Sequence, residues 1–234
     1  MPWVLKVESV DKRFVLHAQD SAEIPVFRNV ELELEPAELR ILVGPSGAGK
    51  SSLLKLLFGT YKTERGSIRV RHGADIVDLA SADPRIVLDV RRHTIGYVSQ
   101  FLRVIPRVPT LDIVAEPAIE QGKPEDEARE RARELLRLLN VPERLWPLSP
   151  VTFSGGEQQR VNIARGFCGA HSILLLDEPT ASLDAANRER VLELIHATRR
   201  GGTAMLGIFH DEEERNELAT GTLDISAFKD FGHA

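Results

Sequence analysis

Leu39-Arg40-Ile41-Leu42-Val43-Gly44-Pro45-Ser46-Gly47-Ala48-Gly49-Lys50-Ser51-Ser52 joins a buried-type apolar run to a glycine-rich loop and then to a helical pattern. Residues 44–51 fit the spacing Gly-x-x-x-x-Gly-Lys-Ser, and residues 51–58 carry apolar side chains at helical intervals. The order strand, loop, helix carries the reading. Glycines let the backbone curl with several N–H groups inward, and a helix start adds its own unpaired amides, so the segment reads as a phosphate cradle. Gly44, Pro45, Ser46, Gly47, Ala48, Gly49, Lys50, Ser51 and Ser52 would line it. Lys50 is spaced to reach β- and γ-phosphates, and the Ser51 hydroxyl to ligate Mg²⁺. The bland alternative is a glycine-rich turn without a ligand; the strand before it and the helix after it argue against that.

Three further strand ends belong to the same argument. The apolar run Ile173–Leu176 stops at Asp177-Glu178. Open α/β sheets bind ligands at the carboxyl ends of their strands, which would send both acids toward the phosphates. Asp177 is suited to hold Mg²⁺ through water, and Glu178 to polarise an attacking water as a general base. The segment Thr203–Phe209 ends at His210, and Ile95–Ser99 ends at Gln100. A lone histidine is ordinarily a packed or hydrogen-bonded residue, and a glutamine can be a polar strand terminus. Placed at these ends, His210 would meet a γ-phosphate, while the Gln100 amide would reach Mg²⁺ and the attacking water. Phe14 reads either as a core aromatic or as a ring that stacks on adenine.

A second helix start lies more than a hundred residues downstream of the loop. In Phe153-Ser154-Gly155-Gly156-Glu157-Gln158-Gln159-Arg160, Ser154 and Glu157 are spaced as a capping box, and Gly155 and Gly156 leave backbone amides uncovered. Such an end suits an anion, and the neighbouring sequence offers none. Asp184, in Ser182-Leu183-Asp184, reads as the cap of the next helix.

The rest of the chain sets bounds. Its 234 residues can bury a substantial core, and 42% hydrophobic with 28% charged residues is ordinary for a globular protein. A net charge of −5 argues against a general nucleic-acid partner. The longest apolar runs fall far below the ~20 residues that span a bilayer, and the start has no signal-peptide layout, so no direct membrane insertion and a cytoplasmic location are expected. The single cysteine, Cys168, excludes an internal disulfide and reads as a packed apolar residue. Strands are expected at 3–10, 30–34, 39–43, 66–70, 76–79, 173–176 and within 203–209, with a turn at Gly73. The prolines after Gln100 punctuate a helical region whose clearest helix starts near Pro124 and ends near Asn140. Glu125/Arg129 and Glu127/Arg131 are spaced for pairing on a solvated face, with Leu135, Leu136 and Leu139 turned to a core. The expected architecture is one α/β domain: a mostly parallel core sheet with an antiparallel β edge (1–100 and 166–234) and an inserted helical subdomain (101–165).

Phosphate loop, Gln100, residues 153–160, Asp177-Glu178, Ser182-Leu183-Asp184 and His210 occur in the order that resembles an ATP-binding-cassette (ABC) ATPase subunit of the P-loop NTPase class. The resemblance covers nearly the whole chain. It implies ATP and Mg²⁺ as ligands and hydrolysis of ATP to ADP and phosphate. It also implies a head-to-tail dimer of homo- or hetero-type, in which Ser154, Gly155, Gly156 and Glu157 of one copy close over the nucleotide of the other. By the same resemblance Phe14 is the adenine-stacking aromatic and Asp184 contacts the opposite subunit. Stretches 99–107, 140–146, 152–157, 160–167 and 207–212 resemble the L-protein (PhnL) family of the bacterial carbon–phosphorus lyase system. This implies soluble partner subunits and a role beside the synthase that forms alpha-D-ribose 1-methylphosphonate 5-triphosphate. Membrane transporters that drive import or lipoprotein release share the overall motif pattern; in them the segment after Gln100 docks on a membrane subunit. A regulatory module that dimerises on ATP with little turnover is the third alternative. Phe153, Glu157 and Ala37 depart from the usual Leu, Gln and Gly.

Overall fold

The computed structural model describes residues 3–16, 22–102 and 106–229. Five strands form an all-parallel sheet in the order β6-β7-β8-β3-β9: β3 (Leu39–Val43), β6 (Ile95–Val98), β7 (Ile173–Asp177), β8 (Ala204–Ile208) and β9 (Gly221–Asp224). β7 and β8 are buried at every position, which is why they read as apolar runs and not as alternations. Alternation along β7 instead feeds two cores. Leu174 and Leu176 join the core built with the helices of residues 110–200, and Ile173 and Leu175 face the helix after the phosphate loop and a second sheet. Burying one leucine stabilises by about 1.5–3 kcal/mol, so the central strands are held firmly from both faces.

The second sheet is antiparallel, in the order β2-β1-β4-β5, from β1 (Leu5–Leu16), β2 (Ala22–Leu34), β4 (Arg65–His72) and β5 (Asp75–Asp78). It is a layer of its own, separate from the parallel sheet. β1 and β2 run well beyond the expected 3–10 and 30–34, because bulges hide the pattern. The register slips between Val7 and Arg13, and Ser9 (φ 52°) and Asn29 (φ 53°) leave the extended conformation. Glu31 accepts from the Ser9 amide, and Asp11 from the Asn29 amide, so the amides freed by the bulges find side-chain acceptors.

Around the sheets lie α1 (Lys50–Leu57), α2 (Pro84–His93), α3 (Thr110–Glu120), α4 (Glu125–Leu138), α5 (Gly155–Cys168), α6 (Ala185–Arg200) and α7 (Glu212–Leu218). α2 went unread in the sequence although its start is marked: Asp83 accepts from the Arg85 amide at 2.8 Å, with Pro84 in the first turn. α3, α4 and α5 pack on one another as a helical lobe, and α5 runs on against β6. Lobe and sheet therefore share α5. Leu135, Leu136 and Leu139 are buried as expected. The charged face of α4 is not merely solvated, however: Arg129 bonds Glu125 at 3.0 Å and also Asp112 of α3 at 2.9 Å, tying the two helices together. Cys168 is buried, and burial pushes its thiol up to about 11. Among the described residues no helix is long and apolar enough to cross a membrane.

Candidate active site

The phosphate loop leaves β3 and enters α1 through Gly49, whose φ of 100° an L side chain rarely adopts. A Cβ there would also come within 2.6 Å of Val26. α1 has no side-chain cap, and its first regular bond runs from the Leu53 amide to the Gly49 carbonyl, 2.9 Å. The amides of Lys50, Ser51 and Ser52 precede that bond, and the helix dipole adds positive potential where they lie. Lys50 Nζ donates to the carbonyls of Gly44 (2.7 Å) and Pro45 (3.0 Å), folded back over its own loop.

The sheet register brings the other expected residues to this place. Val98 pairs with Leu176, and Asp177 with Ile208, so β6, β7 and β8 end in line. Gln100, Asp177, Glu178 and His210 therefore meet although they lie up to 110 residues apart in the chain. Glu178 is the hub: Gln100 Nε2 donates to its Oε2 at 3.0 Å, and His210 Nε2 lies 2.7 Å from its Oε1. Its backbone sits at φ 54°, an unusual conformation for a non-glycine residue, which costs of order 1–3 kcal/mol and aims the carboxylate off the strand end. The His210 side chain is 64% exposed, open to a ligand from above.

Asp177 is different in kind, only 1% exposed. Burial raises its carboxyl above the usual aspartate value of 3.8, against the opposing effect of hydrogen bonds from Tyr97 and Ser51. Tyr97 Oη donates at 2.8 Å and Ser51 Oγ at 2.9 Å. A buried carboxylate touching the first hydroxyl of α1 offers hard oxygens suited to Mg²⁺, with the phosphates completing the shell. Among the described residues no group of three or more His, Cys, Asp and Glu could hold a metal alone. The residues present fit an ion shared between protein and phosphate.

One open groove of about 470 Å³ collects Phe14, Ser46 through Ser52, Gln100, Glu178 and His210. Phe14 stands at its rim, edge-on to Tyr61 with ring centroids 5.2 Å apart. Lys12 Nζ lies 5.2 Å from the Phe14 ring.

Residues 154–157 and Asp184 lie outside this groove. Ser154 and Glu157 form the complete capping box: Glu157 accepts from the Ser154 amide (3.0 Å) and hydroxyl (2.7 Å), and Ser154 accepts from the Glu157 amide (3.4 Å). The hydroxyl bond is the main reason the Glu157 carboxyl falls below its ordinary value. Ser154 and Gly155 are exposed, and nothing crowds Gly155 within 4 Å. Asp184 caps α6, accepting from Asn187 Nδ2 (2.9 Å) and the Asn187 amide (2.8 Å); the amide bond chiefly holds its carboxyl low.

Sequence reading missed the side chains that fix these parts to each other. Gln159 of α5 donates to the Pro179 carbonyl at 3.0 Å, and Asn162 to the Ser99 carbonyl at 2.5 Å. α5 is thereby bonded to both the turn after Glu178 and the turn before Gln100. Thr180 donates to Glu214 of α7 at 2.7 Å, and Arg188 of α6 reaches the same buried acid at 3.1 Å. A polar residue on the buried side of a helix was the only local signal, and it was present for Gln159 and Asn162.

A family model described as ABC transporter matches residues 27–181. The chain is 40% identical over 212 residues to the lipoprotein-releasing system ATP-binding protein LolD of Maricaulis maris, covering 90% of this chain and 89% of that protein. It is 36% identical over 210 residues to the macrolide export ATP-binding/permease protein MacB of Brucella melitensis, where the match covers 90% of this chain and 31% of that protein. Among solved structures, the dimeric bacterial ABC transporter cassette MJ0796 superposes with a TM-score of 0.84 at 28% identity, over 94% of both chains. The same cassette in a post-hydrolysis dimer bound to ADP and Pi gives the same score. These relatives are named for lipoprotein release and macrolide export, not for phosphonate breakdown.

Proposed function

The chain belongs to the ABC transporter family and has the P-loop α/β fold of an ABC ATPase, and from that premise we propose that it is the ATP-hydrolysing subunit of a membrane transporter. One observation carries the ATPase reading: Gln100, Asp177, Glu178 and His210 converge over the bare start of α1.

The chemistry is in-line attack of water on the γ-phosphoryl group, a reaction that needs positioning and charge stabilisation more than covalent intermediates. Lys50 turns from its loop carbonyls to the β- and γ-phosphates, while the amides of residues 46–52 hold the remaining phosphate oxygens. Glu178 orients and deprotonates the water, and His210 holds Glu178 on one side and the γ-phosphate on the other. Gln100, bonded to the same carboxylate, reports whether the γ-phosphate is present. Mg²⁺, when bound, supplies charge to the phosphoryl oxygens, and Ser51, Asp177 and Gln100 are the residues that would hold it. Phe14 stacks on the adenine. Ser154, Gly155, Gly156 and Glu157 complete the triphosphate shell of a second cassette facing head to tail, with Asp184 across the same seam. The start of α5 supports this: Ser154 and Gly155 are exposed and nothing crowds Gly155, so a phosphate from outside the chain can reach the turn beside the Glu157 carboxylate.

The transporter assignment rests on LolD and MacB as relatives and on one exposed aromatic side chain next to the site. Phe101, directly after Gln100, is 72% exposed. A membrane subunit seated on Phe101 would feel each change at Gln100. The chain then works on the cytoplasmic face of the membrane. Membership of the phosphonate system, favoured by the stretches at 99–107 and 140–146, becomes the second reading because the relatives point elsewhere; Arg103, Val104 and Ile105 of that resemblance lie outside the described residues. Affinity capture of the tagged chain in mild detergent tests the choice. Recovery of an integral membrane permease is expected, and recovery of soluble phosphonate-processing subunits alone would overturn it. Turnover per subunit should rise with protein concentration as the dimer forms; absence of hydrolysis at every concentration would leave the regulatory module as the better reading.

A further inference from the structure

The chain reaches the phosphate loop a second time, from its C-terminal end. β9 pairs with β3 from Arg40↔Gly221 to Val43↔Asp224, so β9 stops where the phosphate loop starts. A 3-10 turn, Ile225–Phe228, follows, opened by Asp224 accepting from the Ser226 amide at 2.8 Å. The turn sits directly beneath the loop. Ile225 is fully buried, and a Cβ on Gly44 would lie 3.2 Å from Ser226 Oγ and 3.4 Å from Asp224 Oδ1. The next residue, Lys229, donates from Nζ to the carbonyl of Gly47 at 3.0 Å and lines the same groove as Phe14, Lys50, Glu178 and His210.

We infer that Lys229 is a positioning residue for the phosphate loop, holding its tip in the conformation that receives the β-phosphate. This rests on the ATP reading given above. Gly47 carries no side chain that could anchor the tip, and a Cβ there would meet nothing within 4 Å. Lys50 Nζ bonds the loop at the Gly44 and Pro45 carbonyls. When Lys50 turns to phosphate those bonds are given up, and the loop needs another hold just as its amides must stay aligned. Lys229 supplies it from the carbonyl side, which a ligand bound by the amides leaves free. Its ammonium also adds positive charge at the groove, where a triphosphate brings several negative ones.

The test is nucleotide binding by the full chain carrying Lys229→Met, which keeps the length and removes both charge and donor, beside Lys229→Arg, which keeps both. The Kd of ATP and of ADP should rise about 3- to 10-fold in K229M and return to within about two-fold in K229R. In turnover the loss should fall on KM and not on kcat, with the melting temperature of the nucleotide-free variants unchanged. Equal ATP affinity in K229M and wild type overturns the inference, as does K229R failing to restore it. A wild-type chain that binds no ATP overturns the reading beneath, and the inference with it.

Discussion

The starts of α1 and α5 are the same structural object used in opposite ways. α1 begins with no side-chain cap, at a glycine in the left-handed region, and leaves its first amides to whatever enters the groove. α5 begins with both halves of a capping box closed, and its own Glu157 carboxylate occupies the anion position. A glycine cap is less stable than a serine cap by only about a few tenths of a kcal/mol, so α1 leaves its amides open at little cost in stability. α5 keeps its cap closed on an exposed, glycine-thinned turn, which in the proposed dimer would meet a nucleotide held by another subunit. The first end is built for binding; the second becomes useful only when something displaces or shares its internal acid.

The largest expected effect breaks the groove end. Glu178→Gln preserves size and the acceptor for Gln100, turns the atom facing His210 into a donor, and removes the base. Turnover should fall by about 10²–10⁴-fold with the ATP Kd little changed, as a single-turnover assay with equilibrium binding would show. Wild-type turnover would remove Glu178 from the mechanism.

Asp177→Asn probes the same end through stability. Burial raises the Asp177 carboxyl in the folded chain above its unfolded value of 3.8, so folding favours the protonated form. The resulting penalty is absent well below pH 3.8, grows as pH climbs through the raised value, and is complete above it. The nucleotide-free D177N protein should therefore melt a few degrees higher than wild type at pH 7. The gap should close as pH falls toward 3.8, while Mg²⁺-dependent turnover collapses. A lower melting temperature at pH 7 would show that the bonds from Tyr97 and Ser51 outweigh the cost of burial.

The smallest effect sharpens the contrast at α5. Glu157→Gln keeps a side chain that reaches back to Ser154 but removes the negative charge. Helix-end stability should change by less than about 1 kcal/mol in chemical denaturation. The KM for ATP of the dimeric enzyme should fall about two- to five-fold, because the partner's phosphate meets one like charge fewer. An unchanged KM would mean that Glu157 already swings clear when the dimer closes.

How far the sequence could be read varied with the kind of residue. β3, α1 and β7 were legible because their signals repeat over a few residues: buried runs of four or five, helical spacing, a glycine template. The long β1 and β2 were not, since bulges at Ser9 and Asn29 reverse which side chains face inward. Ala37, noted as standing where a glycine is usual, does adopt φ 59°, so the departure is carried as local backbone strain. The subfamily resemblance finds no support among the relatives, which are named for lipoprotein release and macrolide export. Stretch 140–146 buries Val141 and Trp146 in the core and exposes Glu143 and Arg144, so its residue pattern reports packing and not what the chain assembles with.

The sequence by itself determined that one strand ends in a phosphate loop, that a second helix start is capped from within, and that acids, a glutamine and a histidine terminate three apolar runs. Each is a statement about neighbours within about four positions along the chain, where backbone geometry fixes which atoms meet. Only the tertiary structure decided that Gln100 and His210 grip opposite oxygens of Glu178, that Tyr97 holds Asp177, and that Lys229 reaches Gly47 across 182 positions. Those contacts depend on strand order and register, which arise from packing two cores against one sheet and leave no local periodicity to read.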